Sequence, residues 1–131
     1  MKKLILEPSN ITPQILLDPE KNIYKFSGQS RPENVKEFYD PILNWLEEFN
    51  TEISMDNLSY NLTFIFDYEY YNTASSKCIL EIAKRLKLIK DTGVQMEVVW
   101  YYDEGDDDMR DAGTELSKIV KLPFTLMEKL E

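Results

Sequence analysis

The sequence predicts an α/β fold, a single mixed β-sheet with helices packed mainly on one face. Two patterns carry that prediction. From about residue 59 onward, alternating runs give way to stripes of helical spacing and back again. Strand–helix–strand order of this kind calls for parallel strands joined by right-handed crossovers. Near the start, two short apolar runs flank a Pro- and Asn-containing turn, the mark of an antiparallel hairpin. The size agrees: 131 residues, 43% hydrophobic and 12% aromatic, supply one core and fit a single domain over 1–131.

The elements follow in order. Residues 3–7 form a short strand ended by Pro8-Ser9-Asn10, and residues 12–17 a second. The turn Asp18-Pro19-Glu20-Lys21-Asn22 returns the chain as a third strand over 23–28. Ser30-Arg31-Pro32-Glu33 reads as a helix start, with Ser30 or Arg31 at the cap and Pro32 in the first turn. Val35, Phe38, Tyr39, Ile42, Trp45, Leu46 and Phe49 then make one apolar face, which Pro41 is expected to kink or split. Residues 59–68 alternate, with Tyr60, Leu62, Phe64, Phe66 and Tyr68 on one side; Ile65 on the other argues for a central strand. A second helix runs from about Ala74 to Asp91, with Cys78 or Ile79, Ile82, Ala83, Leu86 and Ile89 inward and Gly93 at its end. A strand at 94–102 follows, then a helix at 106–120 with Met109, Ala112, Leu116 and Ile119 inward. Residues 122–127 make a short last strand. The order is β-β-β-α-β-α-β-α, with that final strand added.

Composition excludes several functions. With no histidine, there is no His-centred metal site, no Ser-His-Asp triad and no histidine phosphorelay. A single cysteine, Cys78, excludes an internal disulfide and fits a reducing cytoplasm. The net charge of −9 argues against nucleic acid, whose phosphates need Lys and Arg. No apolar run is long enough to span a membrane, and the one after Lys2-Lys3 stops at Glu7-Pro8, too short for a secretory leader. No motif calls for a cofactor.

Four groups of residues remain as candidates. Tyr70-Tyr71-Asn72-Thr73-Ala74-Ser75-Ser76-Lys77 lies at a strand-to-helix turn, where α/β proteins place functional groups. Its hydroxyls meet a helix N-terminus with unpaired N–H groups. Asn72 or Thr73 can simply cap the helix, or a hydroxyl can accept a phosphate that the dipole and Lys77 favour. No glycine-rich run precedes Lys77, so this is not a P-loop. Six acids between Asp103 and Asp111, among them Asp106 and Asp107, can form an acidic first helical turn, a partner surface or a Mg²⁺ or Ca²⁺ site; they lack EF-hand order. A basic stripe of Lys77, Lys84, Arg85, Lys87 and Lys90 is either a solvated face or the complement of an acidic partner. Among the aromatic residues Phe38, Tyr39, Trp45, Trp100, Tyr101 and Tyr102, most belong to the core, but Tyr101 points away from Trp100 and Tyr102 and is a candidate interface anchor.

Over nearly its whole length the chain resembles the SiaC family of regulatory phosphoproteins. The matching pieces occur in order: Thr12-Pro13-Gln14-Ile15 with Asp18-Pro19-Glu20, Ser27-Gly28-Gln29-Ser30 with Pro32-Glu33-Asn34, Phe38-Tyr39 with Pro41 and Trp45, Tyr71-Asn72-Thr73 with Ser75-Ser76-Lys77, Trp100-Tyr101-Tyr102, Asp106 to Met109, Ala112-Gly113, and Leu122-Pro123-Phe124. Arg31, Ala74 and Thr114 depart from the family's usual residues. The resemblance implies a STAS-like fold and a non-enzymatic switch. Thr73 would be phosphorylated by a dedicated kinase and dephosphorylated by a PP2C-type phosphatase, and the unphosphorylated form would bind and activate a diguanylate cyclase, which makes cyclic di-GMP. The binding surface would include Asn72, Ser75, Ser76, Lys77, Lys84, Tyr101, Asp106 and Asp107. The rival readings are a metal-dependent hydrolase built on the 103–111 acids and a constitutive adaptor anchored by Tyr101.

Overall fold

The N-terminal hairpin forms as its turn residues dictate. In the computed structural model, which describes residues 1–56 and 60–130, β1 (Leu4–Leu6), β2 (Gln14–Asp18) and β3 (Ile23–Ser30) pair antiparallel. Asp18 is buried, and its Oδ1 accepts the Glu20 and Lys21 N–H groups at 3.1 and 3.3 Å. That side-chain bond mimics a backbone turn and sets the reversal. Asn22 takes the left-handed conformation (φ 56°) that Asn tolerates.

The rest alternates: α1 (Val35–Asp56), β4 (Asn61–Tyr71), α2 (Thr73–Lys90), β5 (Gln95–Tyr102), α3 (Asp107–Val120) and β6 (Phe124–Glu128). Ser59, the sequence-predicted start of the fourth strand, lies outside the described residues. Among the described residues the strands form one sheet in the order β1-β2-β3-β4-β5-β6, with β3 to β6 parallel. Each crossover steps the same way along the sheet. Right-handed crossovers in one direction place every helix on the same face, and the mixed, one-sided sheet predicted from the pattern follows.

Two rows of side chains cross the sheet beneath the helices. Tyr24, Phe64 and Val98 share one row with Leu17 and Phe124; Phe26, Phe66 and Trp100 share the next with Ile15 and Leu126. Tyr24 stacks on Phe64 at 4.7 Å and Phe26 on Phe66 at 4.9 Å between ring centroids. Ile42, Leu46, Phe49, Ile82 and Leu86 close the core from the helices.

Three sequence expectations are corrected here. β3 runs on to Ser30, whose side chain is fully buried, so neither Ser30 nor Arg31 caps α1. Asn34 does: its Oδ1 accepts the Glu37 N–H at 3.0 Å, and Pro32 and Glu33 lie in the preceding loop. Next, α1 is not split by Pro41. Pro41 and Glu37 are exposed, so the carbonyl left without its donor faces water. Finally, Ile119 is not inward but 56% exposed, while Val120 and Gly113 are buried. α3 turns Gly113 toward Trp100, which rotates Ile119 out. The last strand does form, two residues later than predicted, as a parallel edge on β5.

Candidate functional site

The carboxyl ends of β3, β4 and β5 lie side by side, and the loops that leave them carry the hydroxyl-rich turn and the acidic cluster. β4 ends at Tyr71, opposite Ser30 of β3, and the Asn72 N–H donates to the Ser30 carbonyl at 3.0 Å. Asn72 is extended (φ −83°, ψ 174°), and its Oδ1 accepts the Ser75 N–H at 2.8 Å. Capping therefore falls to Asn72, the first of the two residues that the sequence offered.

Thr73 is the first residue of α2, exposed, and its side-chain hydroxyl makes no hydrogen bond among the described residues. The hydroxyls around it are occupied. Ser76 Oγ donates to the Thr73 carbonyl at 2.6 Å. Ser75, expected on the binding surface, is a correction: it is fully buried. Its position three residues after the cap turns it under the helix, onto the end of β3.

Ser75 ends a buried chain of hydroxyls that joins four elements, β4, α1, β3 and α2. The Tyr68 hydroxyl lies 3.1 Å from that of Tyr39, which lies 2.6 Å from Ser30 Oγ. Ser30 Oγ donates to Ser75 Oγ at 2.9 Å, and Ser75 Oγ donates to the Ser30 carbonyl at 3.1 Å. Sequence reasoning missed Ser30, Tyr39 and Tyr68 as a group. The available signal was that Tyr39 and Tyr68 fall on apolar stripes, where a buried phenol needs a polar partner. This chain ties the Thr73 turn to β3 and α1. Ser75→Ala would leave Ser30 Oγ without its acceptor and is expected to destabilise the protein by about 1–3 kcal/mol. Urea unfolding of this variant checks it, and wild-type stability would contradict the role assigned to the chain.

Burial also makes the phenols hard to ionise. Tyr68 is raised well above the ordinary value, mainly by desolvation and then by neighbouring Tyr39. Tyr24, desolvated and near Tyr60 and Asp18, is raised to about 12. The folded chain thus keeps protons that the unfolded chain has released. This contribution is fully present below the unfolded tyrosine value of about 10 and is lost as pH climbs through the folded values. Urea midpoints should fall between about pH 9.5 and 11.5, and Tyr68→Phe should flatten the slope. An equal slope in that variant would refute the assignment to Tyr68.

The charged candidates divide. Asp106 caps α3 by accepting the Met109 N–H at 3.0 Å, and its charge raises the pKa of Tyr71, after burial. Asp107 and Asp111 pair with Arg110 at 3.4 Å each, and Asp103 faces Lys129 at 3.8 Å. The acids are thus dispersed: among the described residues no three Asp, Glu or Cys side chains are grouped to hold a metal ion. On α2, Lys84 and Arg85 pair with Glu81 at 3.0 Å, Arg85 also reaches Glu47, and Lys87 pairs with Asp91. Lys77 is exposed and has no ion pair among the described residues. The middle of the basic stripe is therefore balanced within the fold, while Lys77 beside Thr73 and Lys90 at the far end of α2 make no ion pair among the described residues. Cys78 is half-buried, and burial with Asp40 and Glu81 pushes its thiol up, away from the reactive thiolate. Tyr101 is half-buried and lies on the helix-free face of the sheet, paired with Met127; it stands apart from the α2 surface.

Fold and site define a small α/β domain that presents an unengaged threonine hydroxyl at a helix N-terminus, on a base locked by buried hydrogen bonds. The chain belongs to the SiaC family of regulatory phosphoproteins, whose family model matches residues 6–129. It is 25% identical over 126 residues to an uncharacterized protein of Pseudomonas aeruginosa, covering 96% of each chain. Its fold matches apo-SiaC of Pseudomonas aeruginosa with a TM-score of 0.82 at 24% identity, covering 97% of this chain and 99% of that one. It also matches a chain in the structure of the diguanylate cyclase SiaD with its activator SiaC, from the same organism. There the TM-score is 0.83 at 23% identity, covering 96% of this chain and 99% of the other. Among the described residues no helix is long and apolar enough to cross a membrane.

Proposed function

We propose that this protein is a cytoplasmic partner-switching regulator, a single domain over 1–131, with Thr73 as its phosphoacceptor. The observation that carries the reading is the division of labour at the turn. Asn72 caps the helix and Ser75 is locked beneath it, while the neighbouring Thr73 hydroxyl is exposed and uncommitted. A phosphate there would meet the first N–H groups of α2, which have no carbonyl one turn back, and Lys77 lies one turn along. Membership of a family of regulatory phosphoproteins supports phosphorylation as the modification.

In this reading a Ser/Thr kinase and a PP2C-type phosphatase set the state of Thr73, and the protein itself carries out no chemistry. The unphosphorylated surface, with Asn72, Ser76, Lys77 and Lys84, binds and activates a diguanylate cyclase, as the name of the SiaD–SiaC complex says of its Pseudomonas aeruginosa members. Phosphate adds bulk and up to two negative charges to that surface. Protein purified from its host should contain a fraction heavier by one phosphate, mapped to Thr73 by fragmentation mass spectrometry. Phosphate found only at other residues would refute the proposal.

A further inference from the structure

The two edge strands of the sheet differ. β1 has three residues, whereas β6 has five, with Met127 44% exposed on it and Leu130 96% exposed just beyond its end. The ladder fixes which backbone groups of β6 are spare. The Lys129 N–H donates to the Tyr102 carbonyl at 2.8 Å. Successive residues of a strand turn their N–H and C=O groups to opposite sides. Thr125, Met127 and Lys129 therefore spend theirs on β5, and Phe124, Leu126 and Glu128 point theirs outward. The Phe124 N–H is already taken, by Ser117 Oγ at 3.1 Å. Among the described residues nothing takes the outward groups of Leu126 and Glu128. A lysine commonly guards such an edge. Here Lys129 Nζ is drawn instead to Asp67, at 2.6 Å.

We propose that β6 pairs antiparallel with β6 of a second copy of this chain, about a two-fold axis at Met127. The spare groups set this register. Leu126 of each copy exchanges both its hydrogen bonds with Glu128 of the other, and the occupied Phe124 N–H is not required. Met127 meets its copy on the helix-free face, and the exposed Leu130 comes opposite Phe124 of the second chain. The axis stands perpendicular to the sheet, so the helices stay on one face and the pairing closes at two copies.

The helices fit the same arrangement. α3 lies over β5 and β6, where Trp100 Nε1 donates to the Met109 carbonyl and Ser117 holds Phe124. Its copy then lies two strand spacings away, about 10 Å, which is a normal distance between packed helices. Gly113 rests on Trp100, which is in register with Leu126, so the middle of α3 is level with the axis. Thr114 meets its copy there; it is small, and its hydroxyl is spent on the Arg110 carbonyl at 3.3 Å. The two helices run antiparallel. The first half of one, where Asp107 and Asp111 outweigh Arg110, faces Lys118 and Lys121 of the other. Those lysines make no ion pair among the described residues of their own chain.

Sedimentation velocity of the full chain over a dilution series tests this, and a dimer that dissociates on dilution is expected. Met127→Lys sets two like charges opposite each other at the axis and should raise the dimer dissociation constant about tenfold or more. Glu128→Pro removes an outward N–H and leaves the β5 ladder whole, as edge strands allow, and should do the same. Ile5→Lys, exposed on β1, should not change it. Hydrogen exchange reads the register directly. The Leu126 and Glu128 amides should be protected in the dimer and exposed on dilution, while the Met127 amide, bonded to β5, is protected in both. A chain that is monomeric at every concentration overturns the proposal. So does a dimer that Met127→Lys leaves intact, or one in which the Leu126 and Glu128 amides gain no protection, because the contact then lies elsewhere. If Glu128→Pro fails to fold, Met127→Lys and the amide pattern still decide.

Discussion

Thr73→Glu is expected to weaken binding to the diguanylate cyclase by about a hundredfold or more, with the fold unchanged. Thr73 is exposed and its hydroxyl bonds nothing among the described residues, so the substitution removes no internal contact. A glutamate in the first turn of α2 is even favoured by the helix dipole in the free protein. The penalty arises only in the complex, where a charged group must be desolvated at an interface, at a cost of several kcal/mol. Thr73→Ala separates size from charge. It should bind within about threefold of wild type, since surface contacts of this size contribute little, and should not be phosphorylated at this position. Calorimetric titration of the three proteins against one cyclase measures all of this. Equal affinities for wild type and Thr73→Glu would remove the switch.

Gly113→Ala is the second large effect, and its sign is the useful part. By helix propensity alone, alanine in mid-helix should stabilise α3 by about 1 kcal/mol. The structure predicts the opposite. A Cβ at Gly113 would lie 2.4 Å from Trp100 Cδ1 and 2.7 Å from both Cγ and Nε1. Trp100 has nowhere to retreat. It is 1% exposed, packed on Phe66 and Phe124, and its Nε1 donates to the Met109 carbonyl at 2.9 Å. Overpacking of this kind costs about 3 kcal/mol, which outweighs the propensity gain. Urea denaturation decides between the two: a stabilised variant would mean that α3 slides away from β5 with ease.

Much of this was legible in the sequence, for reasons that can be named. Leu62, Phe64, Phe66 and Tyr68 announce a strand because a pleated backbone repeats every two residues. Ile79, Ile82, Ala83, Leu86 and Ile89 announce a helix for the corresponding reason. The order of these elements implies a one-sided sheet, since right-handed crossovers that never reverse direction keep the helices together. The misreadings have local causes. Ser30-Arg31-Pro32-Glu33 has the composition of a helix start, but pairing with Tyr71 holds Ser30 in the sheet and leaves capping to Asn34. Ile119 fits a periodic inward stripe, but the missing side chain of Gly113 makes it the closest approach to Trp100, and the helix rotates accordingly.

The candidate site divides along the same line. By itself the sequence determined the element order, the absence of histidine chemistry and a hydroxyl-rich turn between a strand and a helix. Each follows from composition or from residues within one turn of one another. Only the tertiary structure decided which hydroxyl at that turn is free. Asn72, Thr73, Ser75 and Ser76 are alike as hydrogen-bonding residues. What separates them is Ser30, 45 residues before Ser75 in the chain, and Tyr39 and Tyr68, which take Ser75 into the interior. Local pattern tells which face of an element is apolar; what that face meets depends on contacts between distant parts of the chain.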